Sequence, residues 1–136
     1  MMLGLFSKKR TKPLILHIDD EPDIVSMVET ALHAAGAEVI SAENARDGFA
    51  LARKKRPDLI LLDVLMPITD GFQLCHKLNT DPRTKGIPIV MVTALGQMRD
   101  VEKALGNGAQ GYLVKPFDVP KLFAKVREFV ALSTTA

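Results

Sequence analysis

Five short apolar runs alternate with segments whose apolar residues recur at helical spacing, and this alternation constrains the fold more than any other feature. The predicted strands are Leu14–Ile18, Glu38–Ser41, Leu59–Leu62, Ile87–Val92 and Tyr112–Val114. Strand–helix alternation with apolar strands is typical of a parallel sheet that is covered by helices on both faces. The sequence therefore predicts an α/β fold, a doubly wound five-stranded parallel sheet with five helices in a single domain.

Local signals delimit the predicted helices. Pro22 lies in a first turn, where its missing N–H is tolerated, and Gly36 follows the same helix as a C-terminal stop. Asn44 and Asp118 are predicted N-caps of the second and last helices, because their side chains can accept a backbone N–H. The third and fourth helices are predicted from Asp70–Gly71 to about Asn79 and at Gln97–Leu105.

The length of 136 residues fits one domain, and the charge divides it unevenly. Lys8, Lys9, Arg10 and Lys12 precede every acidic residue, which leaves 14 of the 18 basic residues against all 16 acidic ones. We expect a flexible basic arm at 1–12, the domain at 13–132 and a C-terminal tail at 133–136. The mildly acidic domain argues against direct binding of nucleic acid.

One histidine and the single cysteine are assigned structural roles rather than roles in catalysis or metal binding. His17 lies in an apolar strand and is expected to be a buried or an edge histidine rather than a ligand. Cys75 is predicted to face the core from the third helix. A single cysteine fits a reducing compartment, and no apolar run approaches the ~20 residues of a membrane span. The opening apolar residues precede their basic residues, the wrong order for a secretory signal. We therefore expect a cytoplasmic protein without a transmembrane segment.

Polar residues stand at the ends of four predicted strands. They are Asp19, Asp20, Asp63, Thr93 and Lys115. Ligands in open parallel sheets bind at the carboxyl ends of the strands, so these side chains are candidates for one site. Clustered carboxylates repel one another, and Mg²⁺ is a natural counter-ion that leaves room for phosphate oxygens. Lys115 and Thr93 can bind phosphoryl oxygens, and Asp63 can attack phosphorus to form an acyl phosphate.

Four motifs in order resemble the response-regulator receiver domain, the phosphoacceptor part of two-component signalling systems. They are LHIDDEP at Leu16–Pro22, LLDVLMPITDG at Leu61–Gly71, VMVTA at Val90–Ala94 and GYLVKPF at Gly111–Phe117. The similarity spans nearly the whole chain. It implies a flavodoxin-like sheet with the strand order 2-1-3-4-5.

The resemblance also implies a role for each candidate site residue. Asp63 corresponds to the phosphorylated aspartate. The ligands of Mg²⁺, or of Mn²⁺ in its place, correspond to Asp19, Asp20, Asp63 and the backbone carbonyl of Leu65. The phosphoryl-binding and switch residues correspond to Thr93, Ala94, Lys115 and Tyr112. The peptide bond between Lys115 and Pro116 corresponds to the cis bond of the family.

The implied function is that of a phosphorylation switch. The phosphoryl donor is a histidine kinase or a histidine phosphotransfer protein, and no enzymatic activity is expected beyond phosphotransfer and autodephosphorylation at Asp63. The fourth helix, fifth strand and last helix, including Gln97–Leu105 and Val119–Phe129, form the face expected to bind a downstream protein or a second copy. Four residues follow Leu132, so the chain is expected to be a stand-alone receiver or a receiver fragment of a longer regulator.

Three other functions were compared with this one. A phosphatase of the haloacid-dehalogenase type needs a second aspartate two residues after its nucleophile, where this chain has Leu65. A flavin-binding module would need a hydroxyl- and glycine-rich loop where this chain has Asp19–Pro22. A degenerate receiver that only docks would lack the site residues, which are all present. Because Leu65 and Leu95 cannot orient water, we also predict slow hydrolysis of the acyl phosphate.

Overall fold

The computed structural model describes residues 10–66, 71–94, 102–103 and 105–133. The strands are β1 (Leu14–Ile18), β2 (Glu38–Ala42), β3 (Leu59–Asp63), β4 (Ile89–Ala94) and β5 (Gly111–Lys115). The helices with complete bounds are α1 (Pro22–Ala34), α2 (Ala45–Lys55), α3 (Gly71–Thr80) and α4 (Val119–Arg127). All strand pairs are parallel, and the sheet order is β2-β1-β3-β4-β5. The predicted doubly wound fold is confirmed.

Each face of the sheet has its own apolar core. On one face, Ile18, Ile60 and Leu62 pack in a cluster with residues of α2 and α3, including Cys75. On the other face, Ile15, Leu61 and Val92 lie in a cluster with residues of α1 and α4. The central strands β1 and β3 are buried throughout, as expected for strands covered on both sides. The interior position predicted for Cys75 is confirmed.

The predicted helix boundaries rest on identifiable backbone interactions. Asn44 Oδ1 accepts the N–H of Asp47 at 2.8 Å, and Asp118 Oδ1 accepts the N–H of Lys121 at 2.9 Å. Both predicted N-caps are therefore confirmed. Gly36 has a φ of +92°, a left-handed conformation that suits glycine after a helix end.

The predicted fourth helix, Gln97–Leu105, falls largely outside the described residues. Within that range the structure describes Glu102, Lys103 and Leu105, and all three are helical. The predicted turn at Asp70–Gly71 is described only from Gly71, where α3 begins. Leu95 also lies outside the part of the chain that the structure describes.

The boundaries predicted for the fourth strand were wrong by two residues at each end. The strand runs from Ile89 to Ala94 instead of from Ile87 to Val92. Ile87 donates its N–H to the carbonyl of Thr84 in a turn, and Pro88 has no N–H to donate. The strand therefore starts later, and it continues through Thr93 to Ala94.

Candidate functional site

The carboxyl ends of four neighbouring strands bring the predicted site residues to one edge of the sheet. Asp63 and Lys115 are the last residues of β3 and β5, Thr93 is the second-last residue of β4, and Asp19 directly follows β1. Lys115 and Asp19 are 96 positions apart in the sequence, and their side chains are in contact. The convergence that the sequence predicted is thus present in the fold.

Three aspartates form a compact cluster at this edge. Asp19, Asp20 and Asp63 each offer a carboxylate oxygen, and these oxygens all lie within 4.8 Å of one another. Asp19 and Asp63 are buried and Asp20 is half-buried. Like charges at this separation repel strongly, because burial reduces the screening by water. The cluster therefore favours a bound cation.

The backbone fixes the two buried carboxylates in the same way. Asp19 Oδ1 accepts the N–H of Glu21 at 2.9 Å, and Asp63 Oδ1 accepts the N–H of Leu65 at 2.9 Å. Each contact joins a side chain to the backbone two residues further on, the arrangement of an Asx turn. One oxygen of each carboxylate is thereby tied to its own loop, and the other oxygen of each faces Lys115.

Lys115 supplies positive charge between these carboxylates. Its Nζ lies 3.2 Å from Asp19 Oδ2, 3.3 Å from Asp63 Oδ2 and 2.7 Å from Glu21 Oε1. Burial lowers the pKa of Lys115, but the three carboxylates outweigh burial and raise the pKa above its ordinary value. Lys115 is therefore a permanent cation in the site. The peptide bond that follows it, to Pro116, is cis, as the resemblance implied.

The same surroundings shift the pKa values of the two buried aspartates in opposite directions. Burial raises the pKa of Asp19, but His17, the N–H of Glu21 and the charge of Lys115 together lower it to about 2. Burial also raises the pKa of Asp63, and the charge of Asp19 adds to this effect. The N–H of Leu65 and Lys115 offset only part of it, so the pKa of Asp63 stays above its ordinary value. Asp63 is the carboxylate whose charge is the less well compensated.

Thr93 on β4 and Tyr112 on the neighbouring edge strand β5 differ in exposure. The Thr93 side chain is buried, and its Oγ1 has no hydrogen-bond partner among the described residues. Ala94 follows it at the end of β4, opposite Lys115 in the register. Tyr112 is 37% exposed, and Lys125 Nζ lies 5.7 Å from the centre of its ring. The buried hydroxyl of Thr93 is thus a hydrogen-bond donor without an acceptor in the described part of the chain.

The donor set suits a hard divalent cation. The three aspartates offer only oxygen, and carboxylate and carbonyl oxygens are the ligands that Mg²⁺ and Mn²⁺ prefer. The N–H of Leu65 holds Asp63, so the backbone of Leu65 lies beside the cluster. When bound, the metal would neutralise the carboxylates and attract phosphoryl oxygens. The residues at this edge of the sheet are therefore suited to hold Mg²⁺ or Mn²⁺.

Comparison with protein families identifies the domain to which this fold belongs. Residues 15–127 match the family described as the response regulator receiver domain. The chain belongs to this family. Receiver domains are signalling switches of two-component systems rather than conventional enzymes, and they generally bind Mg²⁺ at an acidic pocket such as the one formed here by three aspartates.

Individual relatives of this receiver domain differ in length. The chain is 47% identical over 115 residues to the "DNA-binding dual master transcriptional regulator RpaA" of Synechocystis, covering 85% of this chain and 48% of that protein. It is 38% identical over 117 residues to "Protein PilH" of Pseudomonas aeruginosa, covering 86% of this chain and 97% of that protein. The receiver chain thus spans about half the length of the first relative and nearly all of the second.

Solved structures agree with this assignment. The chemotaxis response regulator CheY4 of Vibrio cholerae superposes with a TM-score of 0.83 at 33% identity, covering 88% of this receiver and 100% of that chain. Across the described ranges, no helix of the receiver is both long and apolar enough to cross a bilayer.

The sequence did not assign His17 or Glu21 to the receiver site. His17 is buried, one of the two positions expected for it, and its Nε2 lies 3.4 Å from Asp19 Oδ2. The period of two along a strand places His17 and Asp19 on the same side, and that spacing could have revealed the contact. Glu21 contacts Lys115, and only the strand order could reveal this, since the two residues are 94 positions apart.

Proposed function

We propose that this receiver is a phosphoacceptor switch in which Asp63 takes a phosphoryl group from a histidine kinase or a histidine phosphotransfer protein. One observation carries the proposal. Asp63 is buried between two further aspartates and Lys115, with one oxygen fixed by the backbone and its charge incompletely compensated. A carboxylate in this state is a nucleophile whose reaction with phosphorus is favoured by its surroundings.

In the proposed transfer, a carboxylate oxygen of Asp63 attacks the phosphorus of a phosphohistidine. The new O–P bond forms as the P–N bond breaks, and the electron pair stays on the imidazole nitrogen. Lys115 is positioned to bind a phosphoryl oxygen, because its Nζ already lies 3.3 Å from Asp63 Oδ2. Asp19, Asp20, Asp63 and the carbonyl of Leu65 would hold Mg²⁺, whose charge offsets that of the phosphoryl oxygens.

The switch step follows from the unpartnered hydroxyl of Thr93. A phosphoryl group on Asp63 adds strong acceptors and nearly two negative charges beside this donor. Thr93 then moves toward the phosphoryl group, with Ala94 following, and the exposed Tyr112 turns into the space that Thr93 leaves. The face formed by the predicted fourth helix, β5 and α4 changes shape and binds a downstream protein or a second copy.

The location proposed for this switch is the cytoplasm, where two-component kinases donate their phosphoryl groups. The chain has a single cysteine, Cys75, and can form no disulfide within itself, which fits a reducing compartment. Burial raises the pKa of the Cys75 thiol to about 11 and keeps it in the unreactive protonated form. Asp63 turns over no external substrate in this proposal. Its chemistry is confined to self-catalysed phosphotransfer and autodephosphorylation.

Intact-mass spectrometry tests the proposal directly. The protein is incubated with Mg²⁺ and acetyl phosphate, beside Asp63→Ala and a sample containing EDTA. We expect the wild type to gain one phosphoryl mass and both controls to gain none. Asp58→Ala is a matched control, because Asp58 is an aspartate at the opposite end of the sheet. A wild type that stays unmodified with acetyl phosphate and with a phosphorylated kinase would refute the proposal.

The lifetime of the acyl phosphate is a finer proposal. Leu65 is 55% exposed beside Asp63 and has no polar group that could orient an attacking water. We expect Leu65→Asn to speed dephosphorylation several-fold, because its amide can hydrogen-bond to that water. Leu65→Met is the apolar control. Decay of the phosphorylated mass after removal of the donor measures the rate, and equal rates in all three proteins would contradict this idea.

A further inference from the structure

The hydrogen-bond donors of Lys115 are all occupied in this structure. An ammonium group has three N–H donors. The Nζ of Lys115 has three carboxylate partners, at 2.7 Å in Glu21, 3.2 Å in Asp19 and 3.3 Å in Asp63. A phosphoryl oxygen can therefore bind Lys115 only if one of these partners is released.

Burial indicates which partner is released. The side chains of Asp19 and Asp63 are 0% and 2% exposed, so neither can be rehydrated after losing its cation. The side chain of Glu21 is 56% exposed, and water can replace Lys115 there at little cost. Glu21 is thus the partner that Lys115 can exchange for a phosphoryl oxygen.

The local structure gives the side chain of Glu21 no capping role. Glu21 is the N-cap residue of α1, a position that favours Ser, Thr, Asp or Asn because their side chains bond to the first turn. The Glu21 side chain makes no such capping bond. Its carboxylate forms the shortest contact of Lys115 instead.

We propose that Glu21 is a positioning residue that holds Lys115 in the unphosphorylated geometry and is displaced from it by the phosphoryl group. This inference rests on the proposed function and adds a residue that opposes phosphorylation. Removing the Glu21 contact leaves a donor of Lys115 free before the phosphoryl group arrives. Phosphorylation becomes faster, and a phosphoryl analogue binds more tightly.

Two substitutions at Glu21 separate the contact from the charge. Glu21→Gln removes the charge and weakens the contact, whereas Glu21→Asp keeps the charge on a side chain one methylene shorter. Glu43→Gln is the matched control, because Glu43 is exposed and lines the same cavity as Asp19 and Asp20. All variants are compared with the wild type at saturating Mg²⁺, which removes differences in metal occupancy.

The measurements are the rate of phosphorylation by acetyl phosphate and the dissociation constant of beryllium fluoride, an analogue of the phosphoryl group. We expect Glu21→Gln to improve both by about two- to fivefold, in line with the strength of a partly exposed ion pair. Glu21→Asp should change both in the same direction, and Glu43→Gln should stay near the wild type.

The inference is overturned if Glu43→Gln matches Glu21→Gln, because the effect is then one of general charge. It is also overturned if Glu21→Asp behaves as the wild type, since the contact would then be irrelevant. Failure of the proposed function looks different, because the wild type itself would then remain unphosphorylated and beryllium fluoride would not bind.

Discussion

The two ends of the sheet differ in how their charged groups are paired and buried. At the amino end, Asp58 Oδ2 accepts the N–H of Leu14 at 2.8 Å, and Arg10 Nη1 lies 3.3 Å from Asp58 Oδ1. Arg10 also donates to the carbonyls of Lys55 and Arg56 at the end of α2. At the carboxyl end, two aspartates are buried side by side and the hydroxyl of Thr93 is unpartnered within the described chain.

This difference indicates that the carboxyl end of the sheet, which holds the candidate site, is less favourable for stability than the amino end. At the amino end, Asp58 and Arg10 pair with each other and with backbone groups, and both stay partly exposed to water. The carboxyl end keeps like charges together and buries them, and Lys115 offsets only part of their repulsion, which disfavours the folded state until a further cation binds. Equivalent substitutions at the two ends should therefore have different effects.

Removing a cation at each end gives the largest expected contrast. We expect Lys115→Met to lower the free energy of unfolding by about 2–3 kcal/mol in EDTA, because it leaves Asp19 and Asp63 buried without a counter-ion. Arg10→Met should cost less than about 1 kcal/mol, since Arg10 and Asp58 are both exposed to water. Urea unfolding measures both values. Equal losses would remove the contrast between the two ends.

A methyl group added at each end gives the second contrast. A Cβ at Gly71 would lie 3.0 Å from Val64 Cα and 3.1 Å from the carbonyl oxygen of Asp63, whereas a Cβ at Gly86 meets nothing within 4 Å. We expect Gly71→Ala to cost about 1–2 kcal/mol and to weaken Mg²⁺ binding, because the backbone at the site must shift. Gly86→Ala, in the loop before β4, should change stability by less than about 0.5 kcal/mol.

Calorimetric titration with Mg²⁺ and thermal unfolding distinguish these two alanine variants. Their stability difference tests how tightly the site is packed, and the Mg²⁺ titration tests whether that packing orders the metal ligands. Unchanged Mg²⁺ affinity in Gly71→Ala would show that the backbone around Asp63 tolerates the shift.

Neutralising an aspartate at each end gives the smallest contrast, and the two effects have opposite signs. In EDTA, Asp63→Asn should raise the stability, because it removes the cost of burying the Asp63 charge and the repulsion by Asp19, which both raise the pKa of Asp63. Asp58→Asn should lower it by about 1 kcal/mol, because it weakens bonds to Leu14 and Arg10.

Mg²⁺ provides the control for the aspartate pair. Adding Mg²⁺ should stabilise the wild type and Asp58→Asn, and it should stabilise Asp63→Asn less because one ligand has lost its charge. Thermal unfolding with and without Mg²⁺ measures this. A loss of stability in metal-free Asp63→Asn would contradict the view that the site disfavours the folded state.

Several elements could be predicted because their signals are local. The caps at Asn44 and Asp118 depend on a side chain and a backbone N–H three residues away. The start of β4 could not be placed by apolarity, since Ile87 is apolar but turns back on Thr84 and Pro88 has no donor. Arg10 was assigned to a basic arm, and its contacts with Asp58 depend on a residue 48 positions away.

The sequence by itself determined the types and order of the strands and helices, and it identified the acids, the threonine and the lysine at the strand ends. Periodicity and strand termini depend on residues that are close in the sequence, so both can be read from the sequence directly. Only the tertiary structure decided that Lys115 lies between Asp19, Asp63 and Glu21, and that the pKa values of Asp19 and Asp63 shift in opposite directions. Those properties depend on burial and on distances of a few ångströms between residues far apart in the chain, which no local pattern specifies.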